Sequence, residues 1–161
     1  MKLKRLFLLF CCVFVLTVMV TYPVYASHKH KVQSSALTPQ DACRGRNCFR
    51  TSEDVYARGQ FFPPNSNVDI YVTANRVWSD RDSLAGTDVS FDGVNTVTTD
   101  NDGKIPCTNV AVGLIAGGYD IVVDANQDGT FDTRDGDAVD GKTVPGLRVR
   151  EGRCPPPRRD P

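Results

Sequence analysis

Short segments in which apolar and polar residues alternate occur through the middle of the chain. In residues 68–74, for example, Val68, Ile70 and Val72 alternate with Asp69 and more polar neighbours. This period of two predicts a strand with one buried face. Comparable segments, all rich in β-branched or aromatic residues, lie at 55–58, 89–91, 94–97, 110–114, 119–123 and 144–149. The pattern therefore predicts about seven short strands.

The segments between the predicted strands are typical turns, such as Asp92-Gly93, Gly117-Gly118 and the run Asp100-Asn101-Asp102-Gly103. Asp outnumbers Glu by 17 to 2, which disfavours long helices because Asp prefers turns. Regularly spaced short strands are typical of an antiparallel β-sandwich. We predict an all-β sandwich over residues 53–151, with an irregular arm at 27–52 and a Pro/Arg-rich tail at 152–161.

The first 26 residues have the three parts of a secretory signal peptide. Lys2, Lys4 and Arg5 precede an apolar run over residues 6–20, and small residues end the segment at Ala26. The alternative is an uncleaved anchor, but the run is shorter than the ~20 residues that span a bilayer. We therefore expect a secreted or cell-surface protein, with the periplasm as the other address, and no membrane span after cleavage.

Charge is divided unevenly along the 161 residues, although the formal total is zero. Residues 27–50 carry a net charge of +4, residues 51–147 carry −10 and residues 148–160 carry +3. The balance argues against a nucleic-acid binder. It favours a protein partner at the cell exterior, and self-association of the basic tails with the acidic body is one form of this. Solvated tails are the alternative. The tail arginines are Arg44, Arg46, Arg50, Arg153, Arg158 and Arg159.

Four cysteines remain after the signal peptide, namely Cys43, Cys48, Cys107 and Cys154. An even number in an exported chain predicts two disulfides, for which three connectivities exist. Cys43 with Cys48 would close a small local loop, and Cys107 with Cys154 would then hold the C-terminal tail to the domain. No cysteine or histidine spacing is that of a zinc site.

Three short motifs resemble parts of known extracellular domains. Gly59-x-Phe61-x-Pro63 before the strand at residue 68 resembles the first strands of bacterial Ig-like surface domains. The hairpin at 99–104 and the corner Leu114-x-x-Gly117-x-Tyr119 are similar to those of Ig-like and carboxypeptidase regulatory-like domains. The resemblance implies an Ig-like fold. A tyrosine at such a corner packs its ring in the core and donates its hydroxyl to the backbone across the bend, whereas the alternative is an ordinary strand tyrosine.

Residues 124–135 have the ligand spacing of an EF-hand calcium loop. Oxygen-bearing side chains occupy positions 1, 3, 5, 9 and 12, and Gly129 occupies position 6, where a sharp turn is needed. Position 7 would offer its backbone carbonyl. Because Ca²⁺ prefers six to eight oxygen ligands, the loop predicts a calcium site. The alternative is a solvated acidic hairpin. The predicted ligands are Asp124, Asn126, Asp128, Thr130, Asp132 and Asp135.

Asp135 replaces the usual Glu at position 12, and in this the loop resembles those of dockerins and thrombospondin type 3 repeats. It differs from dockerins because it is single and lies between strands, so the resemblance does not imply cohesin docking. The run at residues 100–103 has no carboxylates downstream, and we interpret it as a turn only.

Catalysis is disfavoured because both histidines, His28 and His30, precede the domain and its cysteines are expected to be paired. A hydrolase would have to rely on carboxylates outside the ion loop. We therefore predict a non-enzymatic, calcium-stabilised structural, adhesive or protein-interaction module. The second interpretation is a carbohydrate-binding module in which Trp78 and Tyr71 are exposed for sugar stacking, whereas core packing is the alternative role of these aromatics.

Overall fold

The computed structural model describes residues 31–35, 47–141 and 145–155 of the chain, and this part is all-β without a helix. The predicted fold class is therefore confirmed. The predicted signal peptide, Cys43, Arg44, Arg46, Arg158 and Arg159 lie outside the described residues.

Eleven strands are present in the described part of the chain, and most are short. They are β1 (Lys31–Ser35), β2 (Cys48–Arg50), β3 (Val55–Gln60), β4 (Asn67–Ala74), β5 (Asp82–Ser83), β6 (Asn95–Thr98), β7 (Ile105–Ala111), β8 (Gly117–Asp124), β9 (Thr130–Phe131), β10 (Ala138–Val139) and β11 (Leu147–Arg150).

The strands form three sheets. A three-stranded sheet has the order β1-β3-β7, and a six-stranded sheet has the order β2-β11-β8-β4-β6 with β10 also paired to β8. The short strands β5 and β9 form a third sheet. Strand β2 runs parallel to β11, and the other described strand pairs are antiparallel.

The main core lies between the three-stranded and six-stranded sheets, as in a β-sandwich. Val68, Ile70 and Val72 of β4 point into it, as the alternation predicts. Strand β8 contributes Ile121 and Val123 from the neighbouring position in the sheet. Burial of these side chains from both sheets supplies the hydrophobic free energy that holds the sandwich together.

An outer layer covers part of the opposite face of the six-stranded sheet. We define it as residues 76–88 and 126–137, which include the β5–β9 pair. Its apolar centre consists of Trp78, Leu84 and Phe131, which pack on Val122 of β8. Residues 119–124 of β8 are consequently buried on both faces of the sheet.

Two predictions about local structure are wrong. The predicted arm contains β1, which pairs with β3, and β2, which pairs with β11. The sequence of β1 is mostly polar, so no alternation marks it, and β2 is only three residues long. The predicted strand at 89–91 is instead part of a turn-rich segment in which Phe91 is 87% exposed. Gly86 and Gly93 both have positive φ there, which interrupts extended backbone.

The suggested disulfide pairing is also wrong, because Cys48 is bonded to Cys154, 106 residues away. The parallel pairing of β2 with β11 explains the bond, since it brings the N-terminal cysteine beside the strand that precedes Cys154. Cys107 is disulfide-bonded as well. The Cys48–Cys154 bond therefore fixes the start of the C-terminal tail to an edge strand.

Candidate functional site

The predicted ion loop begins where β8 ends, and its first residue is completely buried. Both carboxylate oxygens of Asp124 accept backbone hydrogen bonds, from Gln127 N at 2.7 Å and from Gly129 N at 2.8 Å. The chain can curl around this carboxylate because Gln127 and Gly129 have φ values of 60° and 76°. These hydrogen bonds therefore hold position 1 of the loop in place at the C-terminal end of β8.

The next two predicted ligands lie on the exposed side of the curl. Asn126 Nδ2 donates to Asp128 Oδ2 at 3.0 Å, and Thr130 N donates to Asp128 Oδ1 at 2.8 Å. Gln127 Nε2 reaches Asp69 Oδ1 of β4 at 2.9 Å, which joins the loop to the neighbouring strand. The first half of the loop thus places Asp124, Asn126 and Asp128 on one curl, with Asp124 buried and the other two exposed.

The second half of the loop does not bring its predicted ligands toward the first half. The Asp132 carboxylate accepts two hydrogen bonds from the Arg134 guanidinium, and these hold its pKa low, at about 2. Asp135 is exposed, and its backbone N–H donates to Asp132 O. The position-9 carboxylate is therefore paired with an arginine and the position-12 carboxylate faces solvent, whereas in an EF-hand loop both positions serve the ion site.

A buried carboxylate outside the twelve-residue calcium-loop motif joins the two halves of the loop. Asp137 is 4% exposed, and its two oxygens accept from Ala125 N and Asp132 N, each at 2.7 Å. Burial raises the pKa of Asp137 to about 6, and repulsion from Asp124 and Asp128 adds to the shift. Asp137 follows the twelve-residue motif, so the only sequence signal for it was the density of Asp in this segment.

No three His, Cys, Asp or Glu side chains converge as a metal centre within residues 31–35, 47–141 and 145–155. The shorter Asp-rich run at 100–103 is a turn, as predicted. Asp100 Oδ1 accepts from the backbone of Asp102 and Lys104, and Gly103 has a φ of 70°. A side chain at Gly103 would also collide with Phe62 O, because a Cβ there would lie 2.0 Å from it.

Trp78 is not exposed as the second interpretation expects, and Tyr71 is half-buried against the same outer cluster. Trp78 is 1% exposed, and its Nε1 donates to Asp120 Oδ2 of β8 at 3.0 Å. Its ring lies 5.5 Å from that of Phe131 and 4.2 Å from the Arg76 guanidinium. Burial raises the pKa of Asp120, which also accepts from Arg76 N and Gly146 N. Trp78 is therefore a structural residue, as in the core-packing alternative.

The predicted tyrosine corner is present. Tyr119 is 6% exposed in the main core, and its hydroxyl donates to Ile115 O at 2.9 Å across the bend before β8. This contact fixes the turn that leads into the strand on which both the outer layer and the ion loop are built.

A groove of about 500 Å³ lies at the other end of β8, where the outer layer leaves the sheet uncovered. Its floor is formed by Gly117 and Gly118 with the adjoining end of β4, and Pro145 and β11 line its sides. Arg148 and Arg150 of β11 are exposed beside it. The sequence analysis did not identify this site, because its glycines and arginines come from different strands.

Within the described ranges, no helix is long and apolar enough to cross a membrane. No protein-family model, no characterised protein sequence and no solved structure was found to match this chain.

Proposed function

We propose that this chain is an exported, Ig-like β-sandwich that acts as a structural or protein-interaction module outside the cell, and that calcium stabilises it. The signal-peptide pattern supports export, and the Cys48–Cys154 disulfide is of the kind that persists in oxidising compartments. The absence of histidine after His30 in the sequence leaves no Ser–His or Cys–His pair for nucleophilic catalysis.

The calcium proposal rests on the first half of the ion loop. Asp124 is anchored by two loop amides, and Asn126 and Asp128 follow at alternate positions on the same curl. Asp137 lies close enough to Asp124 and Asp128 to be repelled by both carboxylates. A divalent cation would neutralise this concentration of negative charge and would use oxygen ligands of the type that Ca²⁺ prefers.

We assign Asp124, Asn126, Asp128 and the Thr130 carbonyl as the primary ligands. Asp137 rather than Asp135 would supply the closing carboxylate, because Asp137 is buried beside the loop whereas Asp135 is exposed. Asp132 would remain paired with Arg134. A site with so few charged ligands would be weak, with a dissociation constant of about 10⁻⁴ to 10⁻³ M, which extracellular calcium is sufficient to fill.

Thermal unfolding with calcium and with EGTA tests the proposal. Calcium at about 5 mM is expected to stabilise the mature chain by about 2 kcal/mol if the dissociation constant is near 10⁻⁴ M. The Asp128→Ala variant should lose this stabilisation. Asp102→Ala, a matched change in the other Asp-Gly turn, should keep it. Identical melting curves in calcium and in EGTA for the unmodified chain would show that the loop is a solvated hairpin.

A further inference from the structure

The groove at the start of β8 is flanked by arginines that share one face of the sheet. Leu147 and Val149 of β11 point into the main core, so Arg148 and Arg150 point to the outer face. Arg50 of β2 is the direct partner of Arg150 in the parallel pair and is also exposed. Three guanidinium groups therefore lie on two adjacent strands at one end of the molecule.

No ion pair of these arginines is described, although the Glu53 carboxylate accepts from Arg50 N at 2.9 Å. The described ion pairs involve Arg76, Lys104 and Arg134, and none of the three groove arginines donates a side-chain hydrogen bond there. Glu151, the next residue after Arg150, is exposed and forms no described ion pair with them. Like charges at directly paired strand positions destabilise a sheet, so an anionic occupant would relieve this repulsion.

The opposite end of β8 is acidic. Asp124 ends the strand, and its sheet partner is Asp69 at the start of β4. The turn at 100–103 lies at the same end, because Asn65 N donates to Asp100 O just before β4 begins. Asp100, Asp102 and Asp128 are exposed there, and Asp102 is paired with Lys104. At about 3.3 Å per residue, the eight residues of β8 separate the acidic end from the arginines by roughly 23 Å.

We propose that the arginine groove binds the acidic end of a second copy of this chain, so that the molecules associate head to tail. The two surfaces have opposite charge, and both are exposed on every copy. Several guanidinium–carboxylate pairs would form at once, which is required because a single exposed pair contributes only about 0–1 kcal/mol. The bare glycine floor beside the arginines gives acidic side chains room to approach.

Head-to-tail contact uses two different surfaces, so it produces open chains of molecules unless rotation closes a ring. This arrangement would suit a scaffold outside the cell. The inference rests on the proposed role as an interaction module. Asp124 and Asp128 belong both to the acidic end and to the proposed calcium site, so bound calcium would remove part of the negative charge of this end. Its test is accordingly made in EGTA and repeated in calcium.

The experiment is sedimentation velocity on the oxidised mature chain, residues 27–161, over a range of concentrations. At low salt, about 20 mM, the weight-average sedimentation coefficient is expected to rise with concentration. At about 500 mM salt it should return to the monomer value, because ions screen exposed charges. Calcium binding would affect thermal stability, whereas head-to-tail contact affects mass, so the two proposals fail independently.

Two charge-reversed variants define the geometry. The first carries Arg148→Glu and Arg150→Glu, and the second carries Asn101→Lys and Asp102→Lys while keeping Asp100, whose carboxylate accepts the turn amides. Each variant alone should be monomeric at low salt, because one of its two surfaces is blocked. An equimolar mixture should associate again, because the first variant keeps an intact acidic end and the second keeps an intact groove. Unchanged melting temperatures show that both variants fold.

Three results would overturn the proposal. One is an unmodified chain that stays monomeric at low salt, and another is a groove variant that still assembles. The third is a mixture of the two variants that remains monomeric. If the unmodified chain is monomeric but is retained on a sulfated polysaccharide column through Arg148 and Arg150, the occupant is an anionic glycan and the second copy is excluded.

Discussion

The two faces of the six-stranded sheet are packed by different means. The inner face, toward the three-stranded sheet, is covered by a continuous apolar cluster that includes Ile121 and Val123. The outer layer has a smaller apolar cluster around Trp78 and depends on carboxylates as well. Among the described residues, the buried carboxylates all lie in β8 or in the outer layer, and they are Asp120, Asp124, Asp132 and Asp137.

This difference indicates how each face is stabilised. Apolar burial is insensitive to pH and to cations, so the inner core should respond to the loss of volume only. In the outer layer, buried carboxylates accept hydrogen bonds from the backbone of irregular segments that no strand pairing satisfies. Burial raises the pKa of Asp120 and Asp137, so the stability of this layer depends on pH. The single tryptophan of the chain, Trp78, lies in the outer layer, so its fluorescence reports on that layer alone.

The largest expected effect comes from a cavity in the inner core. Ile121→Ala should lower the free energy of unfolding by about 2–5 kcal/mol, because Ile121 is completely buried between the two sheets. The unfolding midpoints measured by far-UV circular dichroism and by Trp78 fluorescence should fall by the same amount, because the outer layer is built on the sheet. The matched change is Val122→Ala on the next residue, whose side chain faces the outer layer. There the fluorescence midpoint should fall further than the dichroism midpoint.

Equal shifts of both probes in the Val122→Ala variant would contradict the comparison. Such a result would mean that the outer layer and the sandwich unfold as one cooperative unit.

The second-largest expected effect is the pH dependence of stability, which should arise in the outer layer and not in the inner core. Burial raises the pKa of Asp137 from 3.8 to about 6. Between these two pH values the folded protein therefore keeps a proton that the unfolded chain has released. The stability from this proton is fully present below about pH 4 and is lost as the pH rises through 6, by at most about 3 kcal/mol. Asp120 acts in the same direction because burial raises its pKa too. Urea unfolding in EGTA, followed by Trp78 fluorescence from pH 4.5 to 7, measures this loss.

The Asp137→Asn variant should be less stable than the unmodified chain at low pH. Its free energy of unfolding should change less between pH 4.5 and 7, because the asparagine side chain does not ionise. Asp102→Asn is the control. The ion pair with Lys104 lowers the pKa of Asp102, so its contribution changes only below about pH 4. A stability that rises or stays constant between pH 4.5 and 7 in the unmodified chain would refute the raised pKa of Asp137.

The same division explains which parts of the structure the sequence predicted. The alternation in β4 and β8 predicted the inner core, because a side-chain period of two is a direct result of strand geometry. The corner at Tyr119 and the turn at Gly103 were predicted from local backbone chemistry. The outer layer was not predicted. Its strands β5 and β9 are two residues each, and its irregular backbone also bonds to side chains distant in sequence, as Arg76 N does to Asp120 Oδ2.

The candidate sites divide in the same way. The curl around Asp124 could be predicted because its oxygen-bearing side chains follow a local spacing. The role of Asp137 was not, since it depends on how the outer layer folds back over the loop. The arginine groove depends on the parallel pairing of β2 with β11, and the polar sequence around β2 gave no indication of that pairing.

The smallest expected effect concerns the hydrogen bond that connects the outer layer to β8. Trp78→Phe keeps an aromatic ring beside Phe131 but removes the donor to Asp120 Oδ2. The carboxylate would keep its bonds from Arg76 N and Gly146 N, so we expect a loss of about 2 kcal/mol, typical of a hydrogen bond to a charged group. Because this variant has no tryptophan, amide hydrogen exchange is the measurement. Exchange should accelerate in residues 76–88 and 126–137 and stay unchanged in β3 and β7. Equal acceleration in both sheets would show that Trp78 stabilises the whole sandwich, and the two faces would then not be separable.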